Sequence, residues 1–288
     1  MYRIYTDTSA NLTPELYRQY GLIIVPFHYT VDGSEHPSAA EDPLVFEGEA
    51  FYDAMRKGAE VQTSMVNVGA FCDAFEESLS AGTDVIYIGM SSGISGAYQS
   101  SVIAAEELRE RYPERKIAVI DTHAASLGEG LPLLFAAKLR DAGASFEEVV
   151  SRTLENSVSI CQYFTVEDLM YLKKGGRISG AAAVVGNILH IKPILRGDEA
   201  GRIVLHRRER GRKKALEALA HKYRELVSDM SAPAGIAHAD SPEDAESLAR
   251  SLREIGHTGE MLIVCYEPVT GSHVGPGTVA LFFYGVHR

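Results

Sequence analysis

The sequence predicts an α/β protein built as two domains. Three observations carry that expectation. Short apolar runs such as 84–89 (DVIYIG) and 116–121 (KIAVID) have strand length, and each ends in small polar residues. Through the first half these runs alternate with helix-period segments. That βαβα rhythm makes a mostly parallel sheet with helices on both faces. In the second half the rhythm changes, which places a boundary near residue 157. Residues 1–157 then form an N-terminal α/β domain and 158–288 a C-terminal mixed α/β domain.

The elements follow in order. Residues 3–6 are a strand stopped by Asp7-Thr8-Ser9. Thr13-Pro14-Glu15 supplies a capping hydroxyl and a proline at the first helical position, and Gly21 ends that helix. Strands are expected over 22–25 and 27–31, with a turn at Asp32-Gly33 and a polar loop over 34–45. A helix over 46–57 puts Phe51, Tyr52 and Met55 on one face. Residues 62–65 read as a polar link to a helix over 68–80. After strand 84–89, the small-residue loop 90–96 opens onto a helix over 97–111, then strand 116–121 and helices 126–142 and 146–155.

Beyond the boundary, 159–165 is a strand. The stretch 168–195 combines a short helix, the charged turn Lys173-Lys174-Gly175-Gly176-Arg177, a small-residue helix over 181–186 and the segment Ile191-Lys192-Pro193-Ile194-Leu195. A strand over 202–206 leads into the basic run 206–214, read as the start of a helix over 210–227. Strand 233 onward, a helix opened by Ser241-Pro242-Glu243, and strand 260–266 follow. The glycine-rich segment 270–277 reads as a loop around His273, before a last strand over 279–284.

At 288 residues, 45% hydrophobic and 23% charged, the chain can bury a full core without disulfides or metal. Its net charge of −11 argues against general nucleic-acid binding. The three cysteines, Cys72, Cys161 and Cys265, lie in apolar segments with no CxxC, which suits buried thiols in a reducing cytoplasm. No apolar window reaches membrane-spanning length, and the first residues read as a strand rather than a leader. The ten histidines show no metal-ligand spacing such as HExxH, so no metal or cofactor is expected.

Several constellations remain as candidate chemistry. Ser95 and Gly96 sit at the mouth of a helix, where free N–H groups favour a carboxylate or phosphate. A plain N-cap explains the same residues. Gly93-Ile94-Ser95-Gly96-Ala97 also resembles a hydrolase elbow without its last glycine, and Asp121 and His273 are the candidates to complete a triad. Thr63 and Ser64 offer two hydroxyls before a helix, for capping or for an anion. Arg177 and the run 206–214, with Arg210 and Arg212, read as anion clamps, partner contacts or solvated charge. A nucleotide- or nucleic-acid-binding module using 206–214 is the third reading, against which the net charge weighs.

At these residues the whole chain resembles the DegV family, the fatty-acid-binding fold that includes the B subunits of bacterial fatty acid kinases. The resemblance rests on Leu172-Lys173-Lys174-Gly175-Gly176-Arg177-Ile178, Ile191-Lys192-Pro193-Ile194-Leu195, Ser95-Gly96 and His273-Val274-Gly275-Pro276-Gly277. It implies a long-chain fatty acid held as ligand between two α/β domains, with its carboxylate on Thr63, Ser64, Ser95, Gly96 and His273. It further implies a carrier rather than a catalyst. The carrier presents the carboxylate to a separate ATP-dependent fatty acid kinase, which makes acyl phosphate for phospholipid synthesis. Arg177, and less directly Arg210 or Arg212, match partner-facing arginines, and transient contact with a membrane surface is compatible with such a role. The sequence departs from the family pattern at Met65-Val66, Ala97, Thr122 and His190, which alters neighbours of the head-group contacts.

Overall fold

The structure, a computed structural model, describes residues 1–37, 46, 48–178 and 191–287. Its first sheet is the parallel one that the buried runs predict. Strands β1 (Tyr2–Asp7), β2 (Ile23–Val25), β6 (Asp84–Gly89) and β7 (Ile117–Asp121) lie in the order β2-β1-β6-β7, every pair parallel. The chain leaves β1 to one side and returns on the other. This puts a topological switch point between β1 and β6, where open α/β sheets bind ligands beyond the strand ends.

Helices α1 (Pro14–Gln19), α2 (Gly48–Arg56), α3 (Val68–Ser80) and α4 (Ala97–Arg111) fall where their caps and periodicity place them. Thr13 has the extended backbone of a cap, but its hydroxyl makes no capping bond; Pro14 alone starts that helix. Two expectations fail in this half. Residues 34–37 are not loop but strand β4 (Ser34–Pro37), and 62–64 are not a link but part of β5 (Val61–Ser64). Both pair antiparallel with β3 (His28–Val31) in a small sheet β4-β3-β5. Polar alternating residues in a short, half-exposed sheet carry no apolar run, so hydropathy missed them. Residues 38–45 of the expected loop lie outside the described residues.

Helix α5 (Leu127–Asp141) joins the two halves. Leu127, Leu131, Leu133 and Leu134 are all buried, so the helix is apolar around most of its circumference. It packs against β6 of the first sheet and against β8, β11 and β13 of the second. Gly128 lets Phe282 approach, because a Cβ there would stand 3.0 Å from the ring. Helix α6 (Phe146–Ser157) covers the first sheet beside it.

The second sheet is mixed, in the order β10-β9-β8-β13-β11-β12. Its strands are β8 (Ile160–Thr165), β9 (Ile191–Gly197), β10 (Ile203–Arg210), β11 (Ala234–His238), β12 (Met261–Cys265) and β13 (Val279–Tyr284). Only β11 and β12 pair in parallel. Pro193 sits in β9 beyond the last residue paired with β8, where its missing N–H costs that ladder nothing. Residues 206–210 extend β10 instead of opening a helix; the helix α8 (Arg212–Leu226) starts only after Gly211 at φ 89°. Short helix α7 (Met170–Lys174) and helix α9 (Pro242–Ile255) match expectation, although Ser241 makes no side-chain cap. The remaining correction is α10 (Pro268–Val274), a helix where a glycine-rich loop was expected. The small-residue helix expected over 181–186 lies outside the described residues. Cys72 and Cys161 are buried as expected, whereas Cys265 is half-buried.

At the carboxyl end of β1 a buried cluster of acids closes the switch point. Ser9 Oγ lies 2.5 Å from both Asp7 Oδ1 and Glu129 Oε2. A hydroxyl has one proton to donate, so one of the two carboxyls carries the other. Asp7 receives Ser9 N–H at 2.8 Å, Tyr87 O–H at 2.6 Å and Met90 N–H at 3.3 Å, the donor set of an anion. Glu129 has only Ser9 Oγ at one oxygen and accepts Thr6 Oγ1–H at 2.9 Å on the other. Glu129 is thus the neutral acid. Burial first, and the Asp7 charge second, push its pKa well up.

Candidate functional site

The switch point opens into a cavity of about 240 Å³ between the two sheets. Most of its wall is apolar: Phe27, Met90, Ile94, Phe164, Ile203 and Phe282 contribute from both halves. Its polar groups gather from four separate elements. Thr63 comes from β5, where period-2 alternation turns it inward and leaves Ser64 exposed on the opposite face, outside the lining. Ser95 and Gly96 come from the loop before α4, with Ser95 Oγ accepting the Ala97 N–H at 3.2 Å. Arg177 follows α7, and His273 sits in the last turn of α10.

Thr63 Oγ1 and His273 Nε2 lie 2.9 Å apart in a hydrogen bond. The ring packs on the chain of the Gly-Gly turn: a Cβ on Gly175 would stand 2.3 Å from His273 Nδ1. This is the physical need for glycine in that turn. Burial, with Arg177 adding to it, pushes the His273 pKa down to about 4. The ring is neutral at pH 7. Arg177 Nε donates to Ile94 O at 3.1 Å and Nη1 donates to Gly175 O. Burial also lowers the Arg177 pKa, and no acidic group acts on it to raise the value. Among the described residues no Asp or Glu lines the cavity. The arrangement is a half-buried cation, two hydroxyls and a neutral imidazole at one end of an apolar chamber, which suits an amphiphilic anion.

A pH dependence follows from His273. Its folded value lies below the ordinary 6.5, so between 6.5 and about 4 the unfolded chain takes up a proton that the folded chain refuses. Ligand-free protein is expected to lose this share of stability as pH falls through that window, by at most about 1.4 kcal/mol per unit. Urea unfolding from pH 4.5 to 7.5 should show a flatter profile for His273→Gln than for wild type. Parallel profiles would contradict the buried neutral ring.

Thr63, Ser95, Gly96 and His273 therefore come together as the sequence suggested, and Ser64 does not join them. Arg177, expected at a partner-facing rim, also lines the cavity. Arg210 is exposed on edge strand β10. Arg212 is turned inward, with Nε 2.7 Å from Asp244 Oδ2 and its two terminal nitrogens buried without partners among the described residues. The hydrolase relay is not assembled. His273 Nε2 is engaged by Thr63, and Asp121 accepts from Ser92 N and His123 N, with His123 Nδ1 at 3.3 Å. Sequence reasoning missed Thr270, Gln162 and Tyr266, which also line the cavity. For Thr270 a signal existed: Glu267-Pro268 is an acidic cap followed by a proline at the first helical position, and Glu267 does accept the Val269 and Thr270 N–H groups.

Among the described residues no helix is long and apolar enough to cross a membrane, and no group of His, Cys, Asp or Glu could hold a metal ion. Comparison with known proteins gives a consistent picture. The sequence profile described as "Uncharacterised protein, DegV family" matches residues 1–286. A DegV domain-containing protein of Clostridium perfringens is 39% identical over 283 residues, covering 98% of this chain and 97% of its own length. One from Lactococcus lactis is 33% identical, covering 98% and 96%. Among solved structures, a fatty-acid-binding DegV family protein of Thermus thermophilus superposes with TM-score 0.86 at 29% identity over 99% of both chains. A fatty acid binding DegV family protein of Streptococcus agalactiae gives TM-score 0.86 at 28% identity over 98% of both.

Proposed function

The chain belongs to the DegV family, and from that premise we propose that it binds a long-chain fatty acid and offers the carboxylate to a separate ATP-dependent fatty acid kinase. One observation carries the binding: an apolar cavity free of acidic lining among the described residues, with Arg177, Thr63, Ser95 and His273 gathered at one end. The tail would lie against Phe164, Phe282 and Ile203. Burying roughly ten methylenes at about 0.8 kcal/mol each gives on the order of 8 kcal/mol before ordering costs. The hydroxyls and the guanidinium then select an acid over an uncharged lipid.

Presentation to a kinase is supported by where that end lies. Gly96 and Met65 are exposed beside the polar groups, so a partner could reach the carboxylate without opening the core. A Cβ on Gly96 would meet the Met65 Sδ at 2.6 Å, so a larger residue there would displace the exposed Met65 side chain. In this reading Arg177 reaches from cavity to rim, and Arg210 on β10 adds positive charge to the outer surface. The product is acyl phosphate for phospholipid synthesis, and the setting is cytoplasmic.

Mass spectrometry of purified protein should find a long-chain fatty acid. Delipidated protein should take up palmitate at about one equivalent, and acyl phosphate should form only when ATP and a fatty acid kinase are both added. Absence of lipid together with no palmitate uptake would sink the binding. Uptake without acyl phosphate formation by any kinase of this class would sink the presentation. Ester turnover by the protein alone, lost in Ser95→Ala, would restore the hydrolase reading.

A further inference from the structure

Ser91 opens the loop that carries Ser95 and Gly96. It is fully buried and lies behind the cavity wall rather than in it. Its carbonyl accepts the N–H groups of Ile94 and Ser95 at 3.2 and 3.1 Å, and its own N–H donates to Ala124 O at 2.8 Å. Its hydroxyl accepts the Gly93 N–H at 3.0 Å and gives its one proton to Gly201 O at 2.9 Å. That last bond crosses to the other domain. Gly201 belongs to the turn between β9 and β10 and itself lines the cavity. The loop and the turn meet backbone against backbone: a Cβ on Gly93 would collide with Ala200 O, and one on Gly201 with Ser91 Oγ. The turn is a firm stop. Asp198 Oδ1 accepts the N–H groups of Ala200 and Arg202 at 3.0 and 2.8 Å, and Oδ2 accepts Arg202 Nε–H at 2.9 Å. Arg177, also of the second domain, grips the same loop at Ile94 O. The loop tip is therefore registered by second-domain groups, although the Ser95 hydroxyl and Gly96 N–H that it bears belong to the first domain. A carboxylate that is to meet both this loop and His273 needs that register, because misplacement by about 1 Å forfeits most of a hydrogen bond.

We propose that Ser91 is a positioning residue for the acyl carboxylate: through its hydroxyl, the 198–202 turn of the second domain holds the Ser95–Gly96 loop in register with His273. This rests on the fatty-acid reading above. Ser91 itself touches no ligand and acts through Ser95 and Gly96. Its removal should therefore cost carboxylate recognition rather than tail burial.

Delipidated wild type, Ser91→Ala and Gly93→Ala are compared for palmitate and hexadecanol affinity. Ser91→Ala removes the link; Gly93→Ala keeps Ser91 and wedges the loop off the turn at Ala200 O. Both variants should bind palmitate about 5–20-fold more weakly and hexadecanol within threefold of wild type. In a Ser95→Ala background the palmitate loss from Ser91→Ala should shrink at least threefold, because the two residues act as one unit. Should Ser91→Ala fail to fold, Gly93→Ala carries the comparison. Palmitate binding within twofold of wild type in the folded variants would overturn the proposal while leaving the fatty-acid reading standing. So would an equal loss for both ligands, which marks a general packing role, or fully additive losses with Ser95→Ala. A wild type that takes up neither ligand would overturn the fatty-acid reading, and this proposal with it.

Discussion

Asp7→Ala is expected to cost about 3–5 kcal/mol of stability, the range for removing one member of a buried charged network. The change leaves the Tyr87 hydroxyl and the Ser9 and Met90 N–H groups buried without their acceptor. Met90 also lines the cavity, so ligand binding should fall with stability. Glu129→Gln tests the proton assignment in the same cluster. If Glu129 is the neutral acid, the amide reproduces it: its N–H donates to Ser9 Oγ and its oxygen accepts from Thr6. Near pH 4.5, where the carboxyl is largely protonated in the unfolded chain as well, the variant should fold with a change under about 1 kcal/mol.

The pH profile separates the two alternatives for that cluster. The folded pKa of Glu129 lies above its ordinary 4.5, so above that pH the unfolded chain releases a proton that the folded chain keeps. Wild-type stability relative to Glu129→Gln should be greatest below about pH 4.5 and fall as pH rises toward the folded value, by up to about 1.4 kcal/mol per unit. Chemical denaturation of both proteins from pH 5 to 8 measures this. A difference that is constant across the range, or a Glu129→Gln protein destabilised as much as Asp7→Ala, would show that Glu129 is ionised in the fold.

Arg177→Met is expected to weaken palmitate binding by about 10–100-fold, matching about 1.5–3 kcal/mol for a hydrogen bond to a charged group. The methionine keeps most of the stem's packing and removes the cation. Hexadecanol affinity should change little. Arg177 also lowers the His273 pKa, so the imidazole should titrate at higher pH in the variant, visible by NMR of the ring. Unchanged palmitate affinity with lost acyl phosphate formation would assign Arg177 to the kinase partner alone.

Much of the fold was legible because it follows from hydropathy. The runs 84–89 and 279–284 are buried strands with the limits their composition suggests, and α3 and α4 span the helices expected. The misreadings share a cause. β4 and β5 are polar strands held by pairing with β3, β4 across the Asp32-Gly33 turn and β5 from farther along the chain, and the 206–210 extension of β10 is basic yet paired along β9. α10 is short and runs into the glycine-rich segment 270–277, so propensity argued against a helix. Packing decided for it: Pro268 through Ser272 are buried, and Gly271 accommodates the Tyr52 hydroxyl, which would stand 1.9 Å from a Cβ there.

The candidate site divides the same way. Thr63, Ser95, Gly96, Arg177 and His273 could be singled out from residue type, turn chemistry and family resemblance. Their sequence separation hid the rest. A hydrogen bond between residues 210 apart, such as Thr63–His273, has no local signature. Nor has the inward turn of Arg212, or the proton that Glu129 holds against Ser9. The sequence by itself determined the two-domain α/β class and the chemistry available, because burial pattern and residue type are local properties. Only the tertiary structure decided which groups meet. Strand alternation set Thr63 against Ser64, and the Gly175 turn admitted the His273 ring.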